Sequence, residues 1–155
     1  NQTGRPFTGD YAGDLLYATL LKFGFAKGEY QSHPEDGLEL INTLITNAVR
    51  CVPPQNKPIG AEIKTCRSFL TNRLQSLKKL KLIIPLGRIA HESVIASKNL
   101  KQKDYKFVHG QPATLPDGKI LLSSYHCSRY NTNTGRLTTE MFEDIFRAAR
   151  KILAK

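Results

Sequence analysis

The chain has 155 residues, a length that fits one domain, and carries 23 lysines and arginines against 13 aspartates and glutamates, a formal charge of +10. Hydrophobic residues make up 40% and charged ones 23%, which excludes the disordered and collagenous classes. No apolar run approaches the roughly 20 residues of a membrane span, and the start Asn1-Gln2-Thr3-Gly4 lacks the charged and apolar regions of a signal peptide, so a cytoplasmic protein that uses no membrane is expected.

Taken in chain order, helices alternate with short apolar runs, the pattern of an α/β fold. Residues 11–25 place Leu15, Leu16, Ala18, Thr19, Leu20 and Phe23 at helical spacing, with Gly24 and Gly28 able to stop the helix. Leu38 to Thr46 is an apolar, β-branched run of strand length that leads into a loop with Pro53, Pro54 and Pro58. Pro58 suits a helix start, and Ala61 to Leu74 then carries Ile63, Cys66, Phe69, Leu70 and Leu74 on one stripe. Leu80 to Leu86 reads as a buried strand, and Gly87 turns the chain into a helix from Arg88 to Ser97. Lys106–Val108 and Lys119–Tyr125 read as two more strands. A last helix is predicted from Thr138, its N-cap, to Leu153; Glu140 and Glu143 lie near its positive end, Arg147, Arg150 and Lys151 near its negative end.

The basic excess favours a polyanion partner and is uneven: Arg73 to Lys106 holds nine basic residues against Glu92 and Asp104, a local balance of +7. The alternative is a set of solvated lysines that only keep the protein soluble. Three cysteines are too few and too odd a number for a disulfide framework. Cys51 and Cys66 flank the Pro-Pro-Gln-Asn-Lys-Pro loop as buried small residues or as metal ligands, and ligation needs about four donors brought together.

Candidate site residues fall in three places. Thr3 to Gly13 packs three of its glycines around Asp10 and Tyr11 just before a helix, where Asp10 serves either a ligand or the helix N-cap. Asn47 follows the first predicted strand and His126 follows the last. Ligands of open α/β sheets bind outside the carboxyl ends of strands, so these two are candidates for one site, against the alternatives of a turn cap and a satisfied histidine.

Four segments occur in order: Gly4-Arg5-Pro6-Phe7-Thr8-Gly9-Asp10-Tyr11-Ala12-Gly13; Thr46-Asn47-Ala48-Val49-Arg50-Cys51 running to Pro58; Cys66; and Ser124-Tyr125-His126-Cys127-Ser128 with Asn131-Thr132-Asn133-Thr134-Gly135-Arg136-Leu137-Thr138. In combination they resemble the iron-sulfur uracil-DNA glycosylases, most closely family 5, the type B enzymes of bacteria and archaea. The resemblance covers nearly the whole chain. It implies a three-layer α/β/α fold with a central, mostly parallel sheet, and a DNA repair enzyme that hydrolyses the N-glycosidic bond of uracil in base excision repair. The family's tolerance extends to other deaminated bases such as hypoxanthine.

It further implies roles residue by residue. Phe7 stacks on the flipped base, Asn47 reads it, and His126 donates to uracil O2, where charge grows. Asp10 positions the attacking water or stabilises the cationic sugar, and these two roles stay open. Ser128, Arg129 and Arg136 meet phosphates from a DNA-penetrating loop spanning Ser128 to Arg136, with Tyr130 in the gap left by the flipped base. Cys51 and Cys66 match two of the four ligands of a [4Fe-4S] cluster.

The other two ligands, the family's first strand and its Gly-Leu-Ala-Pro-type motif are not in these residues, so the resemblance implies a domain over 1–155 lacking its N-terminal part. Cys127 stands where the family usually has proline, a change expected to loosen the turn holding His126. The expected partner is uracil-containing DNA, double- or single-stranded, bound by a monomer in the cytoplasm at the nucleoid. Two rival readings remain: a catalytically inactive DNA-binding relative of the same fold, and a zinc-bound nucleotide-binding module.

Overall fold

A computed structural model of the chain describes residues 10–33, 35–47 and 69–155. The chain divides into two compact units, one formed by residues 1–45 with 125–155 and the other by residues 46–124. Helices and a mixed sheet together make an α/β protein, as the periodicity predicts. Among the described residues no helix is long and apolar enough to cross a membrane.

In the first unit, helix α1 (Tyr11–Lys22) buries Ala12, Leu16, Tyr17, Thr19 and Leu20, which recur at helical spacing. It ends where Gly24 takes φ +79, a conformation open to glycine. The Phe25 amide then donates to Leu20 O (2.9 Å) and the Gly24 amide to Leu21 O (3.3 Å), which satisfies carbonyls orphaned at the helix end. Strand β1 (Ala26–Lys27) pairs antiparallel with β2 (Glu39–Leu40). The turn between them is closed by Asp36, buried, whose carboxylate accepts from the Gln31 and Leu38 amides (2.8 and 3.0 Å).

The strand expected over Leu38–Thr46 is therefore cut to Glu39–Leu40 and belongs to a hairpin. The reason is local: Asn42 sits in the left-handed region at φ +50, and the Thr43 hydroxyl takes the Ile41 carbonyl at 2.7 Å. At the far end of the chain come the short helix α4 (Arg129–Asn133) and the long α5 (Thr139–Leu153). The Thr138 hydroxyl caps α5 by accepting from the Met141 amide, and Phe142, Ile145, Phe146 and Ala149 form its buried stripe, as its pattern predicts.

In the second unit, residues 69–76 are helical (α2), the described part of the helix expected over Ala61–Leu74. Strand β3 (Leu82–Ile83), helix α3 (Arg88–Ser97), strand β4 (Pro112–Thr114) and strand β5 (Ile120–Leu122) follow. The sheet order is β3-β5-β4, with β3 and β5 parallel and β4 and β5 antiparallel. An isolated parallel bridge between Leu86 and Ser124 carries the β3 and β5 pairing toward their carboxyl ends. Leu70, Leu74, Val94, Ile95, Leu115 and Leu121 make the core beneath it. Each such side chain, fully buried, contributes about 1.5–3 kcal/mol.

Gly87, at φ +95, turns the chain into α3 where the sequence places it. The strand expected over Lys106–Val108 does not form, and the antiparallel strand is Pro112–Thr114 instead. His91 explains this: its Nε2 donates to the Tyr105 carbonyl (2.6 Å), and its ring meets Phe107 edge-on at 5.5 Å. A side chain has taken the backbone acceptor at the entry to 106–108, and Pro112, lacking an N–H, is suited to open an edge strand.

Candidate active site

His126 is delivered by the chain that leaves β5. The Ser123 carbonyl accepts from Gly110 N (2.9 Å), Ser124 bridges to Leu86, and the half-buried His126 follows two residues later. Its backbone is pinned from the next turn, because Asn131 Nδ2 donates to the His126 carbonyl at 2.9 Å. The Asn131 amide also donates to Ser128 Oγ (3.2 Å), and its own carbonyl accepts from Leu137 N (3.1 Å). Asn131 thus closes the 128–137 segment behind the histidine. Sequence reading did not assign it a role; the available signal was an amide, donor and acceptor in one side chain, in an Asn-Thr-Asn run beside a candidate catalytic residue.

Asp10 is exposed and caps α1, Oδ1 accepting from the Gly13 amide at 2.7 Å. The cap and the site readings of this residue are compatible. One oxygen orients the carboxylate, and Oδ2 makes no hydrogen bond among the described residues. Asp10 and His126 lie in the same unit and interact electrostatically. Burial pushes the His126 ring below the ordinary histidine value of 6.5, while the Asp10 carboxylate pulls it back up. Burial prevails, and the ring is uncharged at neutral pH.

Next to His126 in the chain is Cys127, fully buried, its thiol donating to the Ala12 carbonyl in the first turn of α1 at 3.5 Å. Burial pushes this thiol up to about 12, so it stays protonated and unreactive. The cysteine thus links the histidine's turn to the helix that Asp10 caps.

The segment 128–136 is not an open loop: α4 occupies its centre, capped by Ser128. Arg129 lies over the Tyr11 ring (5.1 Å) and Arg136 over the Tyr125 ring (5.9 Å), while Tyr130 is 73% exposed. Two guanidinium groups and three phenol rings therefore cluster around the histidine's turn in this unit. Asn47 is half-buried at the start of the second unit. Phe7, Cys51 and Cys66 lie outside the described residues.

A [4Fe-4S] cluster takes four cysteine thiolates in its usual form. These 155 residues contain three cysteines, and the buried Cys127 thiol donates to the Ala12 carbonyl. Among the described residues no group of three metal-binding side chains occurs.

Comparison with known sequences places these observations. The chain matches the uracil DNA glycosylase superfamily over residues 1–150. It is 43% identical over 152 residues to the type-5 uracil-DNA glycosylase of Thermus thermophilus, covering 98% of this chain and 69% of that protein. It is 40% identical over 154 residues to the type-5 enzyme of Mycobacterium leprae, covering 98% and 67%. With the type-5 enzyme of Pyrobaculum aerophilum it shares 36% identity over 149 residues, covering 96% and 64%. The chain thus spans about two thirds of the length of the curated relatives it matches.

Proposed function

Since this chain belongs to the uracil DNA glycosylase superfamily, we propose that it is a type-5 glycosylase which hydrolyses the bond between uracil and deoxyribose in DNA and so initiates base excision repair. The observation that supports this reading is that the Cys127 thiol meets the Ala12 carbonyl at 3.5 Å, which brings the half-buried His126, one residue away, to the start of the helix that Asp10 caps. Both units belong to a single catalytic domain in this reading, acting as a monomer in the cytoplasm at the nucleoid.

The chemistry follows from the groups. The target base first leaves the stack, at a cost of a few kcal/mol that is least for mispaired or single-stranded uracil. Phe7 stacks on it, and the Asn47 amide offers a donor to O4 and an acceptor to N3–H. As the C1′–N1 bond breaks, its electron pair goes to the base, and negative charge grows at O2. A neutral His126 N–H aimed there is worth roughly 3 kcal/mol. Asp10 opposes the positive charge developing on the sugar and takes the proton of the water whose oxygen bonds to C1′. Uracil and an abasic site result.

Ser128, Arg129 and Arg136 hold the phosphates, and the exposed Tyr130 fills the space the base vacates. The +10 charge is the expected electrostatic footprint of such binding. Hypoxanthine, a further deaminated base, offers Asn47 the same pair of groups, a carbonyl (O6) beside an N–H (N1), but it leaves through N9 and has no O2, so the role given to His126 is specific to uracil. Cys51 and Cys66 supply two of the four thiolates of a structural [4Fe-4S] cluster, and no step of the hydrolysis passes through it.

The test is uracil release from a U:G duplex. Wild-type protein should yield free uracil, and His126→Ala should cut the rate about 100-fold while sparing DNA affinity. Asp10→Asn keeps an N-cap side chain but removes the charge, so its rate should fall by a comparable factor without loss of helix stability. Equal rates for all three proteins would overturn the assignments. An inert wild type that still binds DNA would make the chain a DNA-binding relative.

A further inference from the structure

Beside the histidine's turn lies a groove of about 560 Å³ that neither Asp10 nor His126 lines; its walls are Tyr125, Tyr130, Thr134, Gly135, Arg136 and Met141. We propose that this groove is a second base-binding subsite, which holds the base of a nucleotide neighbouring the excised one on the same strand, stacked against tyrosine with its phosphate on Arg136. The inference rests on the glycosylase reading above and adds to it a substrate feature, an unstacked flanking nucleotide.

The composition of the walls selects the occupant. Two phenol rings and a thioether present polarizable faces, and the Arg136 guanidinium stands 5.9 Å over one of the rings. An aromatic platform edged by a fixed cation is the arrangement that binds single-stranded nucleic acid. The volume lies within the roughly 300–1,000 Å³ of sites that hold a small ligand. Gly135 brings no side chain into the space, and nothing stands within 4 Å of where its Cβ would be.

Hydrogen-bond readout is weak here. The Thr134 hydroxyl, the wall's aliphatic alcohol, is already directed to the Tyr130 and Asn131 carbonyls (3.0 and 3.3 Å). Stacking on a ring face accepts any base. Tyr130 is 73% exposed on the short helix α4, so one ring face can meet the vacated position in the stack while the other walls the groove.

The subsite can be tested with single-stranded oligonucleotides containing one uracil and, on its 5′ or 3′ side, either a normal nucleotide or an abasic tetrahydrofuran spacer. Equilibrium binding and uracil release are measured for the wild type and for Tyr130→Ala, whose exposed position leaves folding intact, as a melting curve will verify. The wild type should bind roughly tenfold more weakly when the base on one side is removed. Tyr130→Ala should lose a similar factor on the normal oligonucleotide and then be indifferent to the spacer.

Additive losses from the substitution and the spacer, or no loss from a spacer on either side, would overturn the subsite while leaving uracil release intact. Absence of uracil release from every oligonucleotide would instead sink the glycosylase reading, and the binding comparison would still decide the groove.

Discussion

His91 in the second unit and His126 in the first are both drawn in from water, but under different terms. The His91 ring is 2% exposed and spends both nitrogens inside the protein, on the Ser123 hydroxyl at 2.7 Å and the Tyr105 carbonyl at 2.6 Å. A carbonyl only accepts, so Nε2 carries a hydrogen and donates it to Tyr105. His126 keeps partial exposure, has its backbone held by Asn131, and sits in the field of a carboxylate that opposes the effect of burial. The first arrangement holds α3 to the exit of β5. The second leaves a ring whose charge state is set by its surroundings, as a site requires. Burial of a histidine by itself does not mark function; what surrounds the ring does.

The largest expected effect tests the structural member of this pair. His91→Ala leaves a cavity and takes the partner from the buried Ser123 hydroxyl and the part-buried Tyr105 carbonyl, and should lower stability by about 3 kcal/mol in urea denaturation. A midpoint equal to that of the wild type would break the contrast.

A smaller effect tests the second histidine, the one proposed for the site. By NMR, His126 should titrate below 6.5, and Asp10→Asn should drive it further down, because the carboxylate is what raises it. An upward move would contradict the coupling. The linked stability has a definite sign: as pH falls below 6.5 the unfolded chain takes this proton first, so folding weakens between that value and the lower one of the folded ring.

The smallest effect calibrates both. Asp117 accepts from Lys98 at 2.7 Å, which holds its carboxyl down at about 2 against an ordinary 3.8. The group is mostly exposed, so Asp117→Asn should cost less than about 1 kcal/mol at neutral pH in the same denaturation assay. The contribution is complete above pH 3.8 and vanishes as pH falls toward 2. A cost as large as that of His91→Ala would mean that burial does not govern these differences.

Much of the fold was legible because it is locally determined. Thr138 as N-cap, Gly87 as the turn into α3 and the stripe of α5 follow from capping chemistry and helical spacing, which act over a few residues. The strand forecast at Lys106–Val108 failed because its competitor, His91, comes from another element. The forecast at Leu38–Thr46 failed at a single left-handed asparagine. At the candidate site, motif order nominates Asp10, His126, Arg129 and Arg136. It does not nominate Asn131, whose value lies in three hydrogen bonds that only the folded turn assembles.

By itself, then, the sequence determined the residue types available for chemistry, the helices that carry them and the family to which the chain belongs, all properties of composition and short-range order. Only the tertiary structure decided that the Cys127 thiol meets the Ala12 carbonyl, one residue from His126 and two from the Asp10 cap, and that three tyrosines and two arginines gather about one turn. Those outcomes depend on electrostatics and packing between residues far apart in the chain, and burial and proximity are quantities no short stretch of sequence contains.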